Sequence, residues 1–399
     1  MTTSQSSPEF SLAPQLRAIH EAEYPRFSDA EMTRRRNAIA DLLKENGADH
    51  LIFCGANRFG SAVQWLTGWP VTTEAVGVFT PGEADAMFVQ HVNHAPLAGK
   101  IASRAKVVWG GRSSIGAAIE VLEGRGAQPG RVAVIGPMTF EQHATLSGRF
   151  GMITNLNRAY TGLRQVKSAE EIDWLRIGAA LSDRGMLALR DGLRAGVTER
   201  ELGDIVERGY VRFGGTTVIH FIGVTSMAAP RLGVPTQFAA NRKVAVGDLV
   251  FAEISAAFWD YPGQVLRSFA LGAEPTQLYR DLHAAADAAF AAVATVLKAG
   301  TLPQEVIEAA SVIEQSGFTI IDDLLHGYGG GYLPPVLGSK SRPSAHVPNE
   351  PLRAGMVVVI QPNVVTKDGM AGVQTGEMVL ITETGIQPFH TVPRGFLRV

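Results

Sequence analysis

Leu163-Arg164-Gln165-Val166-Lys167-Ser168-Ala169-Glu170-Glu171-Ile172 is where the character of the chain changes. Ser168 followed three residues later by Glu171 has the spacing of a capping box, a hydroxyl at the N-cap and a carboxylate reaching back to it. The pattern beyond it predicts a long helix from Glu170 to about Leu193, and the domain boundary is placed just before this stretch. A chain of 399 residues, at ~100–200 residues per domain, is expected to hold two.

Upstream, Met1 to Gln15 is rich in Ser, Thr and Pro and reads as a flexible arm, without the basic start and apolar run of a signal peptide. Ser28-Asp29-Ala30-Glu31 opens a helix running to Asn46. Apolar segments at His50 to Gly55, Ala75 to Val89, Lys106 to Trp109 and Arg131 to Ile135 read as strands between helical stretches. Residues 16–162 are therefore an α/β domain. Downstream, 163–399 adds a capping box at Thr198 to Glu201, strands at Val218 to Ile222, Leu249 to Ala257 and Val265 to Leu271, helices at Arg280 to Lys298 and Leu302 to Gln315, and extended closing segments from Met356 onward.

Composition narrows the function. Hydrophobic residues are 46% and charged residues 19%, the balance of a folded protein rather than a disordered one. The 36 basic and 38 acidic residues nearly cancel, so no nucleic-acid partner is expected. The apolar runs fall short of the ~20 residues that span a bilayer, and no membrane partner is expected. Cys54 cannot form an intrachain disulfide and sits in the apolar run Leu51-Ile52-Phe53-Cys54, which fits a reducing, cytoplasmic location.

The informative positions are polar side chains where the pattern asks for apolar ones. In Asp248-Leu249-Val250-Phe251-Ala252-Glu253-Ile254, alternation puts Glu253 on one face of a strand that is apolar on both. A buried carboxylate must be paired, bind a metal or shift its pKa upward; the plain alternative is a strand end reaching solvent or an Arg. Gln264 occupies the next strand and Gln361 ends the run Val357-Val358-Val359-Ile360, and either amide alone reads equally as a satisfied core hydrogen-bonder. His220, in an apolar strand, is by itself more commonly structural than a base. The loop His326-Gly327-Tyr328-Gly329-Gly330-Gly331-Tyr332 needs glycine for close approach or positive φ, and lacks the Lys-Ser/Thr ending of a phosphate loop.

These positions, in this order, resemble the C-terminal half of the pita-bread family that includes methionine aminopeptidase, aminopeptidase P, prolidase and creatinase. Leu163 to Ile172 looks like the family's entry helix, Gly247-Asp248-Leu249-Val250 with Arg267-Ser268-Phe269 like its central hairpin, and Arg353 to Val357 with Glu377 to Glu383 like its closing strands. The resemblance covers about Leu163 to Phe396, and implies an α/β (α+β) class with a creatinase-like N-terminal α/β domain followed by a pita-bread catalytic domain. It also implies a homodimer in which the N-terminal domain contributes to the partner's active site; Arg58, Phe59 and Trp65 are the residues chosen for that contribution.

The family's metallopeptidases hold two divalent ions with two Asp, one His and two Glu. Here those positions fall on Glu253, Gln264, Gly330, Gln361 and Gly376, with Glu377 beside the last. One carboxylate and two neutral amides do not make a closed shell for hard divalent ions, so no metal and no other cofactor is expected. What the resemblance to creatinase and ectoine hydrolase implies instead is cleavage of a carbon–nitrogen bond (amide, amidine or cyclic amide) in a small-molecule substrate. Glu253 is expected as nucleophile or general base, His326 and His220 as proton carriers, and Glu377 as a further catalytic carboxylate. Gln264 and Gln361 are expected to donate to a developing oxyanion. Tyr328, Trp259 and Tyr332, in loops bracketing the pocket, are expected to select a ring or onium group, or else to pack a hairpin and dimer. Two readings compete: a metal-dependent Xaa-Pro aminopeptidase or dipeptidase, and a catalytically silent pita-bread binding protein.

Overall fold

The computed structural model describes residues 10–56 and 62–399. It divides into two compact units, one of residues 21–164 and one joining the described residues up to His20 with 165–399.

In the first unit a six-stranded sheet runs in the order Ala105–Trp109, Asp85–Val89, Glu74–Phe79, His50–Ala56, Val132–Ile135, Thr154–Asn155. The central strand His50–Ala56 pairs antiparallel with Glu74–Phe79 and parallel with Val132–Ile135, which accounts for its continuous apolar run. Ile52, Cys54, Val76 and Val78 pack against Ile115, Ala118 and Leu122 of the helix Ser114–Gly124. The helix Asp29–Glu45 begins where its sequence predicts, with the Ser28 side chain accepting from the Glu31 N–H. The Glu31 carboxylate accepts from Arg34 and Arg35.

The second unit holds a ten-stranded sheet whose main path is Tyr332–Leu337, Leu325–Tyr328, Val357–Ile360, Gly376–Ile381, Val265–Ala270, Asp248–Phe258, Thr216–Ser226. The helix Ala169–Gly192 opens on the Ser168–Glu171 capping box and buries Trp174, Leu175, Leu181 and Leu189. It meets the sheet at backbone distance: a Cβ on Gly178 would lie 2.1 Å from the Tyr261 carbonyl oxygen, and one on Gly263 would lie 2.3 Å from the Ala179 Cα. Glycine at both positions allows that contact. The hairpin beyond is closed by Trp259 and Asp260, both at positive φ (47° and 63°), as a two-residue turn between paired Phe258 and Tyr261 requires.

Three expectations change. The N-terminal arm is not wholly free: Phe10 stacks on Phe213 with ring centroids 4.8 Å apart, Leu12 is buried, and Pro14–His20 is helical. The apolar side chains between the polar residues give that segment something to bury. Residues 16–20 consequently lie with the second unit, and the unit boundary falls between 164 and 165. The helix expected over Leu302 to Gln315 is two, Pro303–Ala309 and Val312–Gln315.

Candidate active site

Every residue of the strand Asp248–Phe258 is buried, Glu253 included at 6% exposure. Glu253 pairs with Phe221 on one side and Leu266 on the other, and Leu266 pairs in turn with Gly376. Paired residues share a face, so the carboxylate projects from the same face as Ser255, two residues on, and Gln264, two residues before Leu266. Gln264 Nε2 donates to Glu253 Oε1 at 2.7 Å and to Gln361 Oε1 at 3.0 Å. Three polar residues singled out in the sequence, the last 97 positions beyond the second, are thus joined by one amide nitrogen.

Burial pushes the Glu253 carboxyl up to about 8, and the charges of Asp322 and Asp323 push in the same direction. Gln374 faces Glu253 closely enough to offset part of this, although neither of its amide atoms makes a well-formed hydrogen bond. At neutral pH Glu253 therefore carries its proton. Because Oε1 accepts from Gln264, the proton belongs on Oε2.

His326 belongs to the same cluster. Its Nδ1–H donates to the Gly327 carbonyl at 3.0 Å, and complete burial pushes its pKa down to about 4, the bonds to Gly327 and to the Gln361 side chain offsetting part of this. The neutral ring with a proton on Nδ1 leaves Nε2 as a lone-pair acceptor. Protonation of a leaving nitrogen by this histidine, as expected from the sequence, requires a second proton on the ring, which its burial disfavours. The ring stacks on Tyr332 at 4.0 Å and meets Tyr328 edge-on at 5.5 Å. Tyr328 is buried, with the Ser255 hydroxyl and the Glu253 charge acting on its phenol, and burial raises its pKa. Tyr332 is 52% exposed.

The oxyanion role expected of Gln264 is also corrected. Both its N–H groups are engaged, by Glu253 and Gln361, so the amide atom left over is the acceptor Oε1.

Other expected site residues lie elsewhere. His220 pairs with Ile254, whose side chain projects opposite to Glu253. Its Nε2 lies 2.5 Å from the Tyr210 hydroxyl, and burial lowers its pKa. Glu377 pairs with Val265, which itself pairs with Ile254, placing it on that same opposite face. There it accepts from Arg267 Nη2 at 2.7 Å. Arg267, fully buried, directs its remaining N–H groups to the carbonyls of Leu266, Gly376, Val392 and Pro393. Glu377 is a structural ion-pair member. Trp259 caps the hairpin turn six residues along the strand from Glu253, about 20 Å at ~3.3 Å per residue. Trp65 is core of the first unit, 2% exposed, edge-on to Tyr160 at 5.6 Å and with its carbonyl accepting from Arg35 at 2.9 Å. It has no surface to offer a partner. Arg58 and Phe59 lie outside the described residues.

Ser255, Gln374, Asp322 and Asp323 complete the cluster and were missed in the sequence. Ser255 is two residues past Glu253 in an apolar strand, so the rule that found Glu253 covers it; Gln374 stands in the polar stretch Gln374-Thr375-Gly376-Glu377 and gives no such signal. Asp322-Asp323 reads locally as a turn.

The donor set does not fit a pair of divalent ions. The five corresponding positions supply one carboxylate that favours its protonated form, two amides bonded to one another, and two glycines. A side chain at Gly376 would place its Cβ 2.5 Å from the Ile360 carbonyl oxygen. Among the described residues no three His, Cys, Asp or Glu side chains are grouped as metal ligands.

The profile of Metallopeptidase family M24 matches residues 173–383. An Xaa-Pro dipeptidase of Pyrococcus furiosus is 25% identical over 237 residues, 59% of this chain and 66% of that protein. An uncharacterized peptidase of Staphylococcus epidermidis is 24% identical over 242 residues, 58% of this chain and 64% of that protein. The chain thus spans a little under two thirds of the length of these curated relatives. The X-Pro aminopeptidase structure from Thermotoga maritima superposes with a TM-score of 0.79 at 18% identity, covering 91% of this chain and 99% of that one. For the prolidase structure from Pyrococcus furiosus the values are 0.75, 19%, 89% and 100%. At those identities the structural matches establish the pita-bread fold expected from the sequence.

Proposed function

We propose that this chain, which belongs to Metallopeptidase family M24, hydrolyses a carbon–nitrogen bond of a small molecule with Glu253, rather than a pair of metal ions, at the reacting centre. The observation that supports this is Glu253 itself: 6% exposed, fixed at 2.7 Å by Gln264, with its pKa near 8. A group whose pKa lies close to the working pH transfers protons in both directions with little penalty. In its resting, protonated state it is an acid, not the nucleophile or base expected from the sequence. Water adds to the carbon as the C–N bond breaks, Oε2–H passes to the leaving nitrogen, and the proton that water gives up returns to the carboxylate. Gln264 holds Glu253 in place through Oε1, and the buried Tyr328 and Ser255 hydroxyls are available to a developing oxyanion.

The test is a mass-spectrometric screen of the purified chain against Xaa-Pro dipeptides, lactams, amidines and aryl amides, with and without EDTA, beside Glu253→Gln. Cleavage that survives EDTA and is lost in the variant supports the proposal. The acid role further requires the rate to fall as pH rises through about 8. The names of the curated relatives favour a second reading, a metal-dependent Xaa-Pro peptidase, and cleavage of Xaa-Pro dipeptides abolished by EDTA would establish it. Assembly as a cytoplasmic homodimer is proposed from the family resemblance. No helix of the described residues is long and apolar enough to cross a membrane.

A further inference from the structure

We propose that the first unit carries a ligand site of its own, a polar cavity at the carboxyl ends of its strands that takes a small zwitterion, the ammonium and carboxylate of a free amino acid. The reading of Glu253 plays no part in it. The strands Ala105–Trp109, Asp85–Val89, His50–Ala56 and Val132–Ile135 all run in one direction, with Glu74–Phe79 reversed among them. In an open α/β sheet, ligands bind in the crevice outside the carboxyl ends of the strands. That crevice is here a cavity of about 340 Å³, within the ~300–1,000 Å³ of small-molecule sites. Two helices begin on it, Ser114–Gly124 after the strand Ala105–Trp109 and Phe140–Phe150 after Val132–Ile135.

The two helix ends differ in charge. The first turn of Ser114–Gly124 holds no acidic side chain. The Ser113 hydroxyl accepts from the Gly116 N–H at 3.1 Å, and the N–H groups of Ser114 and Ile115 have no partner among the described residues. Ser114 is 5% exposed, and its hydroxyl, on the cavity wall, likewise makes no hydrogen bond among the described residues. A hydroxyl and two backbone N–H groups left without partners at a helix N-terminus form a cradle for a carboxylate. Arg112, exposed and without an ion pair among the described residues, lines the same cavity and adds a positive charge. The other helix end is acidic. Glu141 lies in the first turn of Phe140–Phe150, and Glu74 has one oxygen accepting from Gln142 Nε2 at 2.7 Å and the other uncommitted. These two carboxylates repel a phosphate that the helix ends alone would attract, and they pair with an ammonium instead. Both signs of charge in one small cavity match a ligand that carries both.

Calorimetry on the intact chain tests this with glycine, L-alanine, L-serine and L-glutamine, beside inorganic phosphate and the single-charge analogues propionate and ethylamine. At least one amino acid is expected to bind about tenfold or more tightly than any of the three, because each of them forfeits a charge-assisted pair. Arg112→Gln and Glu74→Gln should each weaken that binding several-fold. Both variants should fold, since Arg112 makes no ion pair among the described residues and a glutamine at 74 still accepts from Gln142. Glu253→Gln should bind the amino acid as the native chain does, which separates this cavity from the Glu253 cluster. The proposal is overturned if none of the amino acids binds at about 10 mM, if phosphate or propionate binds as tightly, or if binding is lost in Glu253→Gln and kept in Arg112→Gln.

Discussion

Replacing Glu253 with glutamine should stabilise the protein, and by an amount that depends on pH. In the unfolded chain this carboxyl titrates near 4.5, and in the fold near about 8, with burial the largest cause. Between those values the unfolded state has released a proton that the folded state still holds. Stability contributed by this group therefore falls as pH rises through the window and is flat on either side. At about 1.4 kcal/mol for each pH unit the whole window corresponds to about 5 kcal/mol, an upper bound because water entry and relaxation both reduce it. Glutamine has the same shape, still accepts from Gln264 Nε2, and does not titrate. Asp323 (about 7) and Asp85 (about 6) have raised pKa values in both proteins, so their contributions cancel except where Asp323 is coupled to Glu253. Urea unfolding of both proteins from pH 4 to 9, followed by tryptophan fluorescence, gives the difference curve. It should lie near zero at pH 4, rise steadily, and level off above about 8 with the variant more stable. A difference that stays constant across the range would refute a buried, protonated Glu253.

Arg267→Met should destabilise by about 3–5 kcal/mol, because it strands the Glu377 carboxylate and four carbonyls in the core. Glu377→Gln should cost less and keep catalytic activity, since the amide oxygen still accepts from Arg267; loss of activity in a folded variant would return Glu377 to the site. Gly178→Ala should cost about 3 kcal/mol or more, because the added methyl meets the Tyr261 carbonyl oxygen at 2.1 Å and backbone cannot move aside cheaply. Melting temperatures check all three. Cys54, buried and with its thiol pushed up to about 12, should be inert to a thiol reagent in the native protein and react on denaturation.

The sequence was most legible where a local rule and the tertiary fold agree. Ser168 and Glu171 form the capping box their spacing predicts, and Glu253, Gln264 and Gln361 meet because each is a polar residue in an apolar strand with no solvent to reach. The same rule cannot say which face of a sheet a polar residue occupies. His220 broke the apolar pattern as visibly as Glu253, and Glu377 stood beside a ligand position of the family, yet strand pairing turns both to the other face, where Tyr210 and Arg267 satisfy them. Trp65 was misplaced because its packing on Tyr160 comes from a residue 95 positions away, which no local pattern announces. The roles of Glu253 and His326 could not be read at all. They depend on which atoms are already bonded and on burial, and both are properties of the assembled cluster.

If Glu253 and its amide partners have taken the place of a two-metal centre, the purified chain, saturated with manganese, zinc and cobalt in turn and freed of unbound ion, should hold well under one ion per chain of each by elemental analysis, with cleavage unaffected. Two ions per chain, lost together with activity on chelation, would mean that the metal centre is intact.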